Sequence, residues 1–145
     1  MTNKDLANLI FPNITKTVED YEKMYPSRNG QVVTRFAPSP TGYVHIGGIY
    51  QAIIDYLITK NNNGSFILRI EDTDQKREVE TAVDLISDAI NYYGLIPDEY
   101  ELNGKVVGNY GPYVQSARKE IYHTFIKHLI EIGRAYPCFC TTEEL

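Results

Sequence analysis

The sequence predicts an α/β fold built on a parallel sheet, and three observations predict it. "QVVTRF" (Gln31 to Phe36) is short and rich in β-branched residues, as a strand is. From Ile46 the apolar residues Ile49, Tyr50, Ile53, Ile54, Leu57 and Ile58 recur at helical spacing with one wide apolar face. "SFILRIE" (Ser65 to Glu71) then alternates Phe66, Leu68 and Ile70 against Ile67, Arg69 and Glu71, the pattern of a second strand. Strand, helix and strand within about 40 residues make a βαβ unit, which implies parallel pairing and a right-handed crossover.

The flanking segments follow from their punctuation. Residues 1–30 read as a helical preface, "NKDLANLIF" and then "TVEDYEKMY", where Thr17 with Asp20 three positions later is a start signal and Pro26 closes the run. Gly64, after the asparagines, is the expected stop of the central helix. "EVETAVDLISDAINYYG" carries Val79, Ala82, Val83, Ile86, Ala89, Ile90 and Tyr93 at helical spacing and ends at Gly94. "LIPDEYELNGKVVGNYGPY" is loose and turn-rich and reads as a surface excursion. "SARKEIYHTFIKHLIEIG" is a further helix with Ser116 as N-cap and Gly133 as stop, and "AYPCFC" is a third strand or the lip of an inserted module. Two or three strands leave sheet edges uncovered, so the architecture reads as unfinished at Leu145.

Composition narrows the class of protein. At 145 residues with 43% hydrophobic and 23% charged residues, the chain is long enough to bury a core and is ordinary for a globular domain. It has no apolar run near the ~20 residues of a membrane span and no signal-peptide pattern at its start. Its two cysteines, Cys138 and Cys140, cannot make a disulfide framework, which suits a reducing, cytoplasmic setting. The net charge of −5 offers no basic signature for nucleic acid and argues against a tRNA partner within these residues.

The chemistry concentrates where the strands end. In an open parallel sheet, ligands gather beyond the carboxyl ends of the strands. The first strand delivers Arg35 into "APSPTG" and the second delivers Glu71 into "DTD", so neighbouring strands bring Arg35, Ser39, His45 and Glu71 to one crevice. A helix starting near His45 offers free backbone N–H groups to an anion such as phosphate. Gly42, Gly47 and Gly48 permit close approach, and two glycines inside a helix, at about 1 kcal/mol each against Ala, need a reason. Pro38 and Pro40 stiffen the turn around Ser39. The Arg35 guanidinium suits a carboxylate and Glu71 an ammonium, groups that an amino acid carries together. Taken singly, each feature has a plain reading: an ordinary connection, a surface histidine, an acidic turn in which Asp72 or Asp74 caps the next helix. Three carboxylates in four residues also suit Mg²⁺ with substrate phosphates, although Asp72 and Asp74 alternate against Glu71 and cannot all point into one site.

"RFAPSPTGYVHIGG" followed by "RIEDTDQKR" resembles the bacterial-type glutamyl-tRNA synthetases, members of the class I aminoacyl-tRNA synthetases, and "GPYVQSARKEIY" and "GRAYPCFCTTEEL" extend the likeness from about Val32 to Leu145. The resemblance implies a Rossmann-like catalytic domain, present here in its N-terminal part over 31–145 and entering an inserted module near 135–145. Residues 1–30 are a helical extension outside the likeness. It implies ATP-dependent activation of L-glutamate to glutamyl-adenylate and transfer to the 3′ end of tRNA(Glu) for protein synthesis. By that likeness His45, Gly47 and Gly48 match the His-Ile-Gly-His signature, with Gly48 where the last histidine stands. Pro38, Thr41 and Gly42 join them around ATP, Arg35, Ser39 and Glu71 match glutamate contacts, and Asp74 falls near the tRNA end. Mg²⁺ is expected with ATP. Cys138 and Cys140 match half of a zinc site, and tetrahedral zinc wants four ligands. A cytoplasmic monomer is expected. The chain shows no lysine-rich second signature loop and no anticodon-binding region, so residues 1–145 alone are expected to be inactive. Two alternatives stand beside this reading: the paralogue that glutamylates queuosine in a tRNA, and a small-molecule nucleotidyltransferase of the same superfold.

Overall fold

In chain order the elements are α1 (Asn3–Ile10), α2 (Val18–Met24), β1 (Val33–Phe36), α3 (Ile46–Asn61), β2 (Ser65–Leu68), α4 (Ala82–Tyr92), β3 (Tyr100–Leu102), β4 (Lys105–Val107) and α5 (Lys119–Glu131). They belong to a computed structural model that describes residues 1–145 except 75, 78 and 80. Two compact units result, Ser27–Arg118 and the pair of segments Met1–Pro26 and Lys119–Leu145.

Within Ser27–Arg118, β1 and β2 pair in parallel with Thr34 opposite Phe66 and Phe36 opposite Leu68, as the βαβ pattern predicts. Alternation then sorts the side chains. Phe36, Phe66, Leu68 and Ile70 face a core completed by Ala52 of α3, Ile86 and Ile90 of α4, and Leu95. Tyr56 meets the Phe66 ring edge-on at 5.6 Å. Thr34 turns its hydroxyl to the Asp55 carbonyl at 2.9 Å and to the hydroxyl of the buried Thr59, so the polar atoms on this face are satisfied by α3 itself. The other face carries Val33, Arg35, Ile67 and, past the strand end, Arg69.

The apolar side of α3 is divided. Ile49 and Ala52 are buried, whereas Ile46, Tyr50, Ile54, Leu57 and Ile58 are exposed. A two-stranded sheet is too narrow to cover a face as wide as the periodicity suggests. The helix leaves its axis at Asn63, which takes the left-handed conformation at φ 49°, and not at Gly64. Gly64 is needed for a different reason: a Cβ there would run into the Val32 carbonyl oxygen. Of the helix predicted over "EVETAVDLISDAINYYG", the part from Ala82 forms as α4, followed by Gly94 at φ 69°, whereas Val79 is not helical and gives its N–H to the Pro40 carbonyl. Positions 78 and 80 of that prediction lie outside the described residues.

The supposed surface excursion after Gly94 is structured. Leu95, Pro97, Glu99 and Tyr113 are buried, and β3 and β4 form an antiparallel hairpin whose two-residue loop, Asn103 and Gly104, has φ 50° and 75°. Asn-Gly is the strongest short hairpin signal, and here it prevails over the turn-rich Pro and Gly around it. Single parallel bridges, Ile67 with Glu99 and Ile70 with Val114, attach this segment beside β2. No strand forms over 135–140.

Ser116 does not cap α5. It opens a short 3₁₀ turn, Ser116–Arg118, and gives its backbone N–H (2.8 Å) and its hydroxyl to the Asp72 carboxylate, a stronger acceptor than the helix end is a donor set.

In the unit formed by Met1–Pro26 and Lys119–Leu145, Thr2 with Asp5 and Thr17 with Asp20 are complete capping boxes for α1 and α2. Both helices pack on α5, burying Ala7, Tyr21, Thr124 and Ile130. Lys127 closes the unit by donating to the Ile14 carbonyl at 2.9 Å.

Candidate functional site

The two strand ends run side by side as predicted, but Arg35 and Glu71 do not line the cavity that Ser39 and His45 share. Beyond the strands the parallel ladder continues: the Arg69 N–H donates to the Phe36 carbonyl (3.0 Å), the Glu71 N–H to Pro38 (2.9 Å) and the Val79 N–H to Pro40 (2.9 Å). "APSP" and "RIED" therefore run side by side. Ser39 donates its hydroxyl to the main-chain oxygen of Glu71 at 3.0 Å, and an Arg35 guanidinium nitrogen lies 3.6 Å from the Glu71 carboxylate.

His45 is the N-cap of α3, extended at φ −84° and ψ 154°, exposed, and its side chain makes no cap hydrogen bond. The imidazole thus stands beside the helix start without being spent on it. A cavity of about 240 Å³ is lined by Pro38, Ser39, Gly42, His45 and Gly48, together with Tyr43 and Gln51. Thr41 and Gly47 do not line it. The protein's own packing does not call for glycine here: a Cβ at Gly42 or Gly47 would meet nothing within 4 Å, and one at Gly48 would make only ordinary contact with the Phe36 ring at 3.9 Å. Glycine placed where the fold tolerates a side chain is what close approach of a ligand to the helix start would require.

The acidic run is divided among three partners. Glu71 accepts from Arg69 at 2.9 Å, Asp72 takes Ser116, and Asp74 takes the Arg77 guanidinium, with Nε at 2.6 Å. Neither Asp72 nor Asp74 caps α4, whose N-cap Thr81 makes no side-chain cap bond. Among the described residues no group of three or more His, Cys, Asp or Glu is gathered that could hold a metal ion. Cys138 and Cys140 are exposed free thiols. The Cys138 thiol is held below its usual range by the Cys140 amide and then by the Cys140 thiol.

Sequence reasoning missed Arg69. Its place in the strand pattern opposite the core was visible, but its pairing with Glu71, two residues away on the same face, depends on the chain staying extended past β2.

A family model for the catalytic domain of class I tRNA synthetases (E and Q) matches residues 31–145. The chain belongs to that family. This is the family the two motifs resemble, and among its members the chain is 54% identical, over its whole length, to the glutamate–tRNA ligase of Acetivibrio thermocellus and 49% identical to that of Clostridium perfringens (strain 13 / Type A). Residues 1–30 therefore have counterparts in these relatives, a correction to their being outside the likeness. The ligase of Chlorobium luteolum is 52% identical over 79% of the chain. A crystal structure of a glutamate tRNA ligase from Elizabethkingia meningosepticum in complex with its amino acid superposes with a TM-score of 0.71 at 46% identity, covering 79% of this chain and 22% of that one. The chain spans about a quarter of the length of the curated relatives it matches, 27% of the Acetivibrio enzyme. These names favour neither the queuosine-glutamylating paralogue nor a small-molecule nucleotidyltransferase.

Proposed function

We propose that this chain supplies part of the catalytic site of a glutamate–tRNA ligase, one that activates L-glutamate with ATP and passes it to the 3′ end of tRNA(Glu). The observation that carries the reading is the hydrogen bond from the Ser39 hydroxyl to the main-chain oxygen of Glu71, which ties the turn leading to His45 to the backbone of the residue whose carboxylate is meant for the amino acid. Activation is an in-line attack by a glutamate α-carboxylate oxygen on the α-phosphorus of ATP. The C–O–P bond forms, the Pα–O bond to the β-phosphate breaks, and pyrophosphate leaves. No nucleophilic side chain is needed, so positioning and charge stabilisation supply the rate.

In this reading Glu71 receives the ammonium of glutamate, and Arg35, only loosely paired at 3.6 Å, turns to a carboxylate. Ser39 holds the turn, and His45 with the free N–H groups at the start of α3 steadies phosphate oxygens. Pro38, Thr41, Gly42, Gly47 and Gly48 shape the path of the nucleotide. Mg²⁺ would arrive on the ATP phosphates. Asp74, fixed by Arg77, stands toward the tRNA end. Cys138 and Cys140 offer two thiolates to zinc, which would need two further ligands. The division into an N-terminal extension (1–30) and a catalytic part (31–145) entering an inserted module, and a cytoplasmic monomeric enzyme, belong to the same reading. With a net charge of −5 on these residues, most tRNA phosphate contacts are expected to lie outside them.

The test is glutamate-dependent ATP–pyrophosphate exchange in the full-length protein and its His45→Ala variant. Exchange that requires glutamate and collapses in the variant supports the reading, and exchange indifferent to either one refutes it. Residues 1–145 alone are expected not to charge tRNA.

A further inference from the structure

Past β2 the alternation of an extended chain sends Glu71 and Asp72 to opposite sides. Glu71 meets Arg69 at 2.9 Å and Arg35 at 3.6 Å. Asp72 is committed elsewhere: its Oδ1 accepts the Ser116 N–H at 2.8 Å and its Oδ2 accepts the Ser116 hydroxyl. Two donors from one residue on the two oxygens of one carboxylate fix its orientation as well as its position.

These bonds finish a ladder that flanks Glu71 on both sides. On one side the Arg69 and Glu71 N–H groups donate to the Phe36 and Pro38 carbonyls, and Ser39 donates to the Glu71 carbonyl. On the other, the Ile70 N–H donates to the Tyr113 carbonyl (3.0 Å) and the Gln115 N–H to the Ile70 carbonyl (2.9 Å). At Ser116 the chain turns into the 3₁₀ helix, and the Asp72 side chain takes over from main-chain pairing. Both neighbours of Glu71, Ile70 and Asp72, are therefore tied to residues 113–116.

That segment is a firm anchor. Tyr113 is buried, its N–H donates to the Glu101 carboxylate at 3.0 Å and its phenol to Glu99 at 2.6 Å. Arg118 ties the preceding turn by donating to the Tyr110 and Pro112 carbonyls, at 3.2 and 2.7 Å. Neither Asp72 nor Ser116 lines the cavity that Ser39 and His45 share, so the influence of the pair falls on Glu71 and not on the nucleotide side.

We propose that Ser116 is a positioning residue for the amino acid: through Asp72, 44 positions away, it sets the place and direction of the Glu71 carboxylate. The proposal rests on the reading that Glu71 receives the ammonium of glutamate, and it adds a residue that does not itself meet the substrate.

Charging of tRNA(Glu) by the full-length protein tests this, with KM measured for glutamate and for ATP. Ser116→Ala removes the hydroxyl and leaves the N–H; Asp72→Asn removes the charge that draws both donors, and carries the test if the first variant does not fold. Each should raise the glutamate KM about tenfold and move the ATP KM less than about twofold, since misplacement of a positioned group by about 1 Å costs up to about 10²-fold. Ser116→Thr keeps the hydroxyl and should restore the wild-type glutamate KM. The double variant should be no worse than the more affected single one, because both changes break one link. A merely structural role would lower the amount of folded enzyme and leave both KM values alone. An unmoved glutamate KM in the folded variants, equal changes in the two KM values, additive losses in the double variant, or no recovery in Ser116→Thr would each overturn the proposal. Wild type that does not charge tRNA(Glu) with glutamate refutes the activation reading and this proposal together, whereas normal wild-type charging with an unmoved glutamate KM in the variants overturns this proposal alone.

Discussion

The phenol of Tyr113 donates a 2.6 Å hydrogen bond to Oε2 of Glu99, a carboxylate that is only 7% exposed and that also takes the Arg28 guanidinium. This joins three segments far apart in sequence: the approach to β1, the residue before β3 and the turn before the 3₁₀ helix. Gly108 is packed against the same pair, where a Cβ would run into the Tyr113 hydroxyl and lie 2.6 Å from the Glu99 Cγ, at a φ of 105° that also favours glycine. The network fixes the edge of the sheet beside the candidate site.

Tyr113→Phe removes one donor from a buried carboxylate and should cost about 1–3 kcal/mol, measured by urea unfolding of the chain. Burial first, and then the hydrogen bond to Glu99, push the phenol up to about 12. A folded pKa above the ordinary value of about 10 contributes stability in full below pH 10, and that contribution is lost as the pH rises through 12. The wild-type chain should therefore lose stability between pH 10 and 12, and the phenylalanine variant should lose less over the same interval.

Arg28→Gln should be more damaging, by about 3–5 kcal/mol, because it strands Glu99 without its countercharge. Burial pushes the Glu99 carboxyl up, and the bonds from Arg28 and Tyr113 outweigh it, so the group lies below the usual carboxylate range. Its contribution is present above the ordinary carboxylate pKa and lost as pH falls through the depressed value. Acid titration of stability should show the midpoint moving to higher pH in the variant.

Two glycines with different reasons for being glycine should behave in opposite ways. Gly64→Ala forces a Cβ into the Val32 carbonyl, so the chain should unfold or lose several kcal/mol. Gly47→Ala meets nothing and removes a poor helix former from α3, so stability should rise by about 0.5–1 kcal/mol. If the helix start receives ATP, the same change should reduce pyrophosphate exchange by at least about tenfold in the full-length protein. Thermal unfolding and exchange measured on the same variant separate the two effects.

Elements carried by local pattern were legible in the sequence: the βαβ unit, the exit of α4 at Gly94, and the Thr17–Asp20 cap all depend on residues within a few positions of one another. The juxtaposition of Arg35 and Ser39 with Glu71 was legible too, because parallel pairing brings strand ends to the same edge. What escaped depends on contacts across tens of residues. Nothing near Glu99 announces that it is buried, since its partners are Arg28 and Tyr113; nothing near Ser116 announces Asp72. Gly64 was recognised as special and assigned the wrong cause, a helix stop instead of contact with the neighbouring backbone. The apolar width of α3 exceeded what two strands can cover, so its periodicity overstated its burial.

The most direct test of the central claim is ATP–pyrophosphate exchange by the full-length protein, with and without L-glutamate, in wild type and His45→Ala. The imidazole makes no cap bond, so its removal should leave stability unchanged. Exchange that depends on glutamate and falls by about 10²-fold or more in a folded His45→Ala protein is the predicted result. Glutamate-dependent exchange undiminished in that variant, or no dependence on glutamate at all, would contradict the assignment of this crevice to glutamate activation.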